Sequence, residues 1–151
     1  MPVHILIVDD QPYLCELFSR IFIGDTYQID CINDTESTEQ YLINSMSLNI
    51  VLLEISLHGF EGWKLLHHIK SNHPYLPVLI VTSYDNYPDD PRAYQADGYI
   101  LKDFIHLELL KKKIIKKLAL KKHSKVNDIR IEENSILPLP LPSLYSQSAM
   151  T

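Results

Sequence analysis

The sequence predicts an α/β domain, a doubly wound parallel sheet of five strands with helices on both faces. Two observations carry that prediction. Short runs rich in Val and Ile alternate with stretches of helical periodicity through roughly the first 120 residues. Four of those runs also stop on residues that can handle a charged ligand: Ile5 to Val8 on Asp9 and Asp10, Ile50 to Leu53 on Glu54, Val78 to Val81 on Thr82 and Ser83, and Gly98 to Leu101 on Lys102. Unbroken apolar runs of this length are strands buried on both faces, and such sheets bind ligands just beyond the carboxyl ends of their strands. The polar ends are therefore expected to converge on one small pocket.

Each element has a local warrant. The first helix is expected to begin near Pro12, with Leu14, Leu17, Phe18 and Ile21 as its inner stripe. Tyr27 to Ile32 alternates less cleanly and is assigned as a strand. Thr35 to Met46 is a helix capped by Asp34 or Thr35, with Tyr41, Leu42 and Met46 inward. After Glu54 a loop runs through Gly59 and Gly62 into a helix carrying Trp63, Leu65, Leu66 and Ile69, which His73-Pro74 stops. Tyr84 to Pro91 is loop chemistry with two prolines, so a fourth helix has room only from about Asp90-Pro91 to Ala96. The last helix, Phe104 to about Lys122, repeats Leu107, Leu110, Ile114 and Leu118 at helical spacing. Lys111, Lys112, Lys113, Lys116, Lys117, Lys121 and Lys122 gather on its other faces and at its end, where cations complement the helix dipole. A solvated basic face is the plain reading of those lysines, and docking to an acidic partner the sharper one.

The domain is expected to span residues 1–122, and 123–151 to form a Pro-rich, flexible tail around Leu137-Pro138-Leu139-Pro140-Leu141-Pro142. Twenty-odd residues cannot bury a second core, so no DNA-binding output domain is expected. A chain of 151 residues with 46% hydrophobic content suits one globular domain, and a formal charge of −5 argues against nucleic acid as the main partner. No apolar run approaches the ~18 residues that span a bilayer, and the N-terminus lacks a signal pattern, which points to an untargeted cytoplasmic protein. Cys15 and Cys31 have no motif spacing, and buried free thiols are expected rather than a disulfide or a metal pair. His67 and His68 are adjacent on a helix and point to different faces, which disfavours a metal site there.

The spaced set Asp9-Asp10, Val51-Leu52-Leu53-Glu54 followed by Gly59 and Gly62, Thr82-Ser83, and Ala96-Asp97-Gly98-Tyr99-Ile100-Leu101-Lys102 resembles the receiver domain of bacterial two-component response regulators. The resemblance covers roughly residues 3–122. It implies a flavodoxin-like sheet of strand order 2-1-3-4-5 and a carboxylate at position 54 that accepts a phosphoryl group. It further implies Mg²⁺ held by Asp10, the residue at 54 and the backbone carbonyl of Ser56, with Asp9 acting through water and charge. Thr82 would hydrogen-bond one phosphoryl oxygen and Lys102 would pair with another. Tyr99 matches the family's aromatic switch, which rotates inward when Thr82 moves. Tyr94, Tyr99, Lys102 and the outer face of the last helix form the implied partner surface. The implied partners are a histidine kinase, a phosphotransfer protein or a downstream signalling protein, with neither a membrane nor direct nucleic-acid contact.

Receivers carry aspartate where this chain has Glu54, and many carry proline where it has His58, which leaves that loop less rigid. One added methylene displaces a carboxylate by ~1.5 Å. A misplacement of about 1 Å can slow an aligned reaction ~10²-fold. In-line attack by Glu54 is therefore expected to be poor. The chain is read as an atypical, stand-alone receiver that is not an enzyme and acts by protein–protein contact. Glu54 either holds the pocket in an active-like arrangement or caps an inert one, with Mg²⁺ binding kept or lost. One rival is a working Mg²⁺-dependent phosphoacceptor using Glu54 or a neighbouring carboxylate. Another is a nucleotide- or flavin-binding module, which four glycines and the lack of a Gly-rich loop after the first strand argue against.

Overall fold

The structure is a computed structural model that describes residues 2–24, 26–45, 47–84, 89–102 and 108–120. The chain divides into two units at Leu118, and the sheet with its site belongs to the first. The Pro-rich tail, Lys121 and Lys122, the inner-stripe residues Met46 and Leu107, and Phe104 lie outside the described residues.

Five strands, β1 (Val3–Val8), β2 (Tyr27–Ile32), β3 (Ile50–Leu53), β4 (Val78–Thr82) and β5 (Gly98–Leu101), pair in parallel in the order β2-β1-β3-β4-β5. That is the doubly wound order expected. Alternate residues of each strand feed two separate cores. Ile5, Ile7, Ile50, Leu52, Leu79 and Val81 meet Leu14 and Phe18 of α1 (Tyr13–Ile21) and Leu110 and Ile114 of the last helix, described over 108–120. Leu6, Val8, Val51, Leu53 and Ile80 meet Leu42 of α2 (Thr35–Asn44) and Trp63, Leu65, Leu66 and Ile69 of α4 (Gly62–Asn72). Each fully buried Leu, Ile or Phe contributes about 1.5–3 kcal/mol relative to exposure. On α1 the stripe is narrower than expected. Leu17 and Ile21 are half-buried, and Phe22 just beyond the helix is buried instead.

The helix ends follow their chemistry. Asp34 caps α2, its Oδ1 accepting from the Ser37 amide at 2.7 Å. The short segment before β5 is a 3-10 helix, Pro91–Gln95, capped by Asp90, whose Oδ1 accepts from the Arg92 amide at 2.9 Å. Proline opens it where no donor is needed, and the backbone returns to extended geometry at Ala96. No helix among the described residues is long and apolar enough to cross a membrane.

The cysteines overturn the expectation of free thiols. Cys15 in the first turn of α1 and Cys31 on β2 form a disulfide, with Cα atoms 6.0 Å apart. They are 16 positions apart in sequence and meet only because α1 packs back on the edge strand.

A polar triangle supports the other face of β2. Asp30 Oδ2 accepts from Tyr41 Oη at 2.6 Å and lies 2.6 Å from His4 Nε2, which therefore carries the hydrogen. Burial pushes the Asp30 carboxyl up, but the bonds from Tyr41 and His4 outweigh it and hold it below its ordinary 3.8. A depressed carboxyl contributes stability above the unfolded value and loses it as pH falls through the folded one. Asp30→Asn is therefore expected to be less stable than wild type at about pH 6, with the gap narrowing as pH falls below 3.8 toward the lower folded value. Urea midpoints across that range check this.

Candidate functional site

Neighbouring strands deliver four chemically active side chains to one edge of the sheet. Asp9 follows β1, Glu54 follows β3, Thr82 ends β4 and Lys102 follows β5. Lys102 Nζ lies 2.7 Å from Asp9 Oδ2 and 2.7 Å from Glu54 Oε2. Glu54 Oε1 accepts three hydrogen bonds, from Thr82 Oγ1 at 2.6 Å, Ser56 Oγ at 2.7 Å and the Ser56 amide at 2.9 Å. The Tyr84 amide donates to Thr82 Oγ1 at 3.2 Å and so fixes the hydroxyl from behind. Glu54 is 2% exposed. Its carboxylate is enclosed and satisfied.

The Asp9 carboxylate is less well served. Oδ1 accepts from the Gln11 amide at 2.9 Å, while buried Oδ2 receives no aligned hydrogen bond and relies on the charge of Lys102. Burial pushes the Asp9 carboxyl above its ordinary 3.8, against the pull of Lys102 and Gln11. Burial alone would lower Lys102, yet its pairing with the Asp9 and Glu54 carboxylates keeps the ammonium above its ordinary 10.5. One cation thus serves two buried anions.

The backbone that presents Glu54 is set by a close contact. The Glu54 amide donates to Val8 O at 2.9 Å, prolonging the β1–β3 ladder, and the Gly62 amide donates to Ile55 O at 3.2 Å. A Cβ at Gly62 would fall 2.5 Å from the Glu54 carbonyl oxygen and 2.6 Å from Ile55 Cα. Backbone on that side cannot swing away as a side chain can. Gly62→Ala is therefore expected to destabilise the fold by about 1–3 kcal/mol, read from urea unfolding.

Between them lies α3 (Leu57–Phe60), one irregular turn. His58, Gly59 and Phe60 have φ of 43°, 79° and 71°, a left-handed run that only its glycine adopts freely. The run sets the Phe60 ring edge-on to Tyr84, with centroids 5.2 Å apart. It also points the His58 amide at Asp10 Oδ2, 3.4 Å away.

The predicted residues divide accordingly. Asp9, Glu54, Ser56, Thr82 and Lys102 come together, Ser56 through its amide and hydroxyl rather than the expected carbonyl. The expected metal set of Asp9, Asp10, Glu54 and Ser56 is not assembled. Among the described residues, no three His, Cys, Asp or Glu side chains converge as a metal site. Glu54 instead spends both carboxylate oxygens on Thr82, Ser56 and Lys102. The residues as placed do not fit Mg²⁺. The partner surface also needs correction. Tyr94 is 87% and Tyr99 46% exposed, but the Lys102 side chain is 14% exposed and points inward. Tyr99 lies outward, with Lys113 Nζ 5.5 Å from its ring centroid. The supporting roles of Gln11 and Tyr84 carried no sequence signal.

The model of the response regulator receiver domain matches residues 5–115. The chain belongs to that family. As a receiver it is a module of two-component signal transduction. It is 26% identical over 141 residues to the regulatory protein VanRB of Enterococcus faecalis, covering 91% of this chain but 62% of that one. It therefore spans less than two thirds of this curated relative. Among solved structures, a CheY-like receiver from Methanospirillum hungatei superposes with a TM-score of 0.74 at 25% identity, covering 82% of this receiver and 99% of that chain. The regulator TrrA of Thermotoga maritima, solved with Mg²⁺–BeF, superposes at 0.66 with 28% identity, covering 77% and 98%. TrrA has also been solved in complex with the histidine kinase ThkA.

Proposed function

We propose that this receiver signals by protein–protein contact from a state that ordinary aspartyl phosphorylation does not control. One observation carries this reading. The Glu54 carboxylate occupies both contacts that the family resemblance assigns to phosphoryl oxygens, the Thr82 hydroxyl and the Lys102 ammonium. Three donors on Oε1 and the Lys102 ammonium on Oε2 fix the orientation of the carboxylate and draw off its charge, which opposes in-line attack. Glu54 acts here as a resident anion rather than a nucleophile. Tyr99 stays outward beside Lys113, so the held state engages Thr82 but not the aromatic half of the switch. A histidine kinase, a phosphotransfer protein or a downstream signalling protein is the partner class. Exposed Tyr94 and Tyr99 are the side chains offered to it.

The test is direct. After incubation with acetyl phosphate and Mg²⁺, the intact mass of the wild-type chain is expected to show no phosphoryl gain. A stable gain of one phosphoryl group would overturn the proposal.

A further inference from the structure

The mechanism leaves one chemically reactive feature unused, the Cys15–Cys31 disulfide. It fastens the first turn of α1 to β2, the edge strand of the sheet. Cys31 is exposed and Cys15 half-buried. Both line an open cleft of about 630 Å³ together with Asp9, Asp10 and Pro12, so the bond and the site loop share one solvent-filled space. Only Asp9 to Pro12 separate β1 from α1. The start of α1 is held by buried Leu14, by the Gln11 amide on Asp9 Oδ1 and by the disulfide, since the Pro12 side chain at its cap has no polar atom to bond with.

We propose that this disulfide is a reversible redox tether on the site loop, opened by a dithiol reductant. A reductant thiolate attacks the exposed Cys31 sulfur, the Cys31–Cys15 bond breaks, and Cys15 leaves as a thiolate that takes a proton from water. The amino end of α1 favours that leaving charge. The reductant's second thiol, as thiolate, then displaces Cys31, which is protonated in turn. Two electrons and two protons pass to the chain, and the reductant leaves as a cyclic disulfide. Accessible disulfides of this kind are the labile, regulatory ones, whereas structural bridges resist reduction. The reduced chain holds the Asp9–Pro12 loop, and through it the Asp9–Lys102 pair, less firmly. The tether goes beyond the phosphorylation-independent reading and does not depend on it.

The experiment uses the full chain. The oxidised protein is titrated with dithiothreitol without denaturant, alkylated, and its thiols counted by mass. Hydrogen exchange of a peptide covering residues 9–18 is followed in both forms. The expected result is reduction of the folded protein, reversal by oxidised glutathione, and exchange on the order of tenfold faster in that peptide but not in β3 or β4. Cys15→Ser and Cys31→Ser should each reproduce the faster exchange and ignore dithiothreitol. A bridge that opens only with global unfolding, or exchange unchanged on reduction, would overturn the tether.

Discussion

Lys102→Met is expected to destabilise the domain by about 3–5 kcal/mol, the range for removing one partner of a buried ion pair. The loss of attraction is the smaller part of that figure. Asp9 and Glu54 side chains are each 2% exposed, and without the ammonium both stay buried as uncompensated anions. Urea unfolding of the variant measures the loss. Adding Glu54→Gln to Lys102→Met should recover part of it, because one stranded charge is then gone. A loss below about 1 kcal/mol, typical of exposed pairs, would contradict the burial described. The same lysine shapes the alkaline limb. Its folded pKa is raised, so its contribution is complete below 10.5 and vanishes as pH climbs through the higher folded value. The variant should lack that step.

Glu54→Asp is expected to turn acetyl-phosphate labelling on, with a rate ~10²-fold above wild type in the presence of Mg²⁺. Shortening the arm by ~1.5 Å makes it impossible to keep Thr82, Ser56 and Lys102 all in contact. The carboxylate withdraws toward Asp9 and Asp10 and regains an unshared oxygen face. Time courses of intact mass for wild type, Glu54→Asp and Glu54→Gln check this, with the glutamine variant expected to stay unlabelled. Equal labelling of wild type and Glu54→Asp would show that the methylene is not what blocks the site. No labelling of a folded Glu54→Asp protein would place the block elsewhere, with the left-handed turn at His58 to Phe60 the next suspect.

Most of the architecture was legible because a strand buried on both faces leaves an unmistakable mark. Ile5 to Val8, Ile50 to Leu53 and Val78 to Val81 are apolar at every position, and each sits between two cores. The abbreviated segment before β5 was legible from Pro91 and its neighbours for a similar reason, since proline restricts geometry directly. The site was legible as a set of strand ends, and Asp9, Glu54, Thr82 and Lys102 meet as expected. What could not be read is how side chains point once there. Nothing in the order of residues tells that Glu54 Oε1 would take the Ser56 amide and hydroxyl, or that Lys102, expected both in the pocket and on the partner surface, would serve the pocket alone. The disulfide was hidden because its cysteines lie on a helix and an edge strand whose packing angle no local pattern encodes. The His4–Asp30–Tyr41 triangle was missed likewise, its members being scattered over two strands and a helix.

The order in which the strands lie in the sheet bears on how the domain is made. Both carboxylates emerge from the ribosome well before Lys102, and the strand that carries the lysine is the outermost and last of the sheet. A nascent chain cut short before that point can assemble β2-β1-β3-β4 only by entombing two anions with no cation to neutralise them. Translation must therefore pass Lys102 before the native sheet becomes the favoured state, which ties folding of the site to synthesis of the fifth strand.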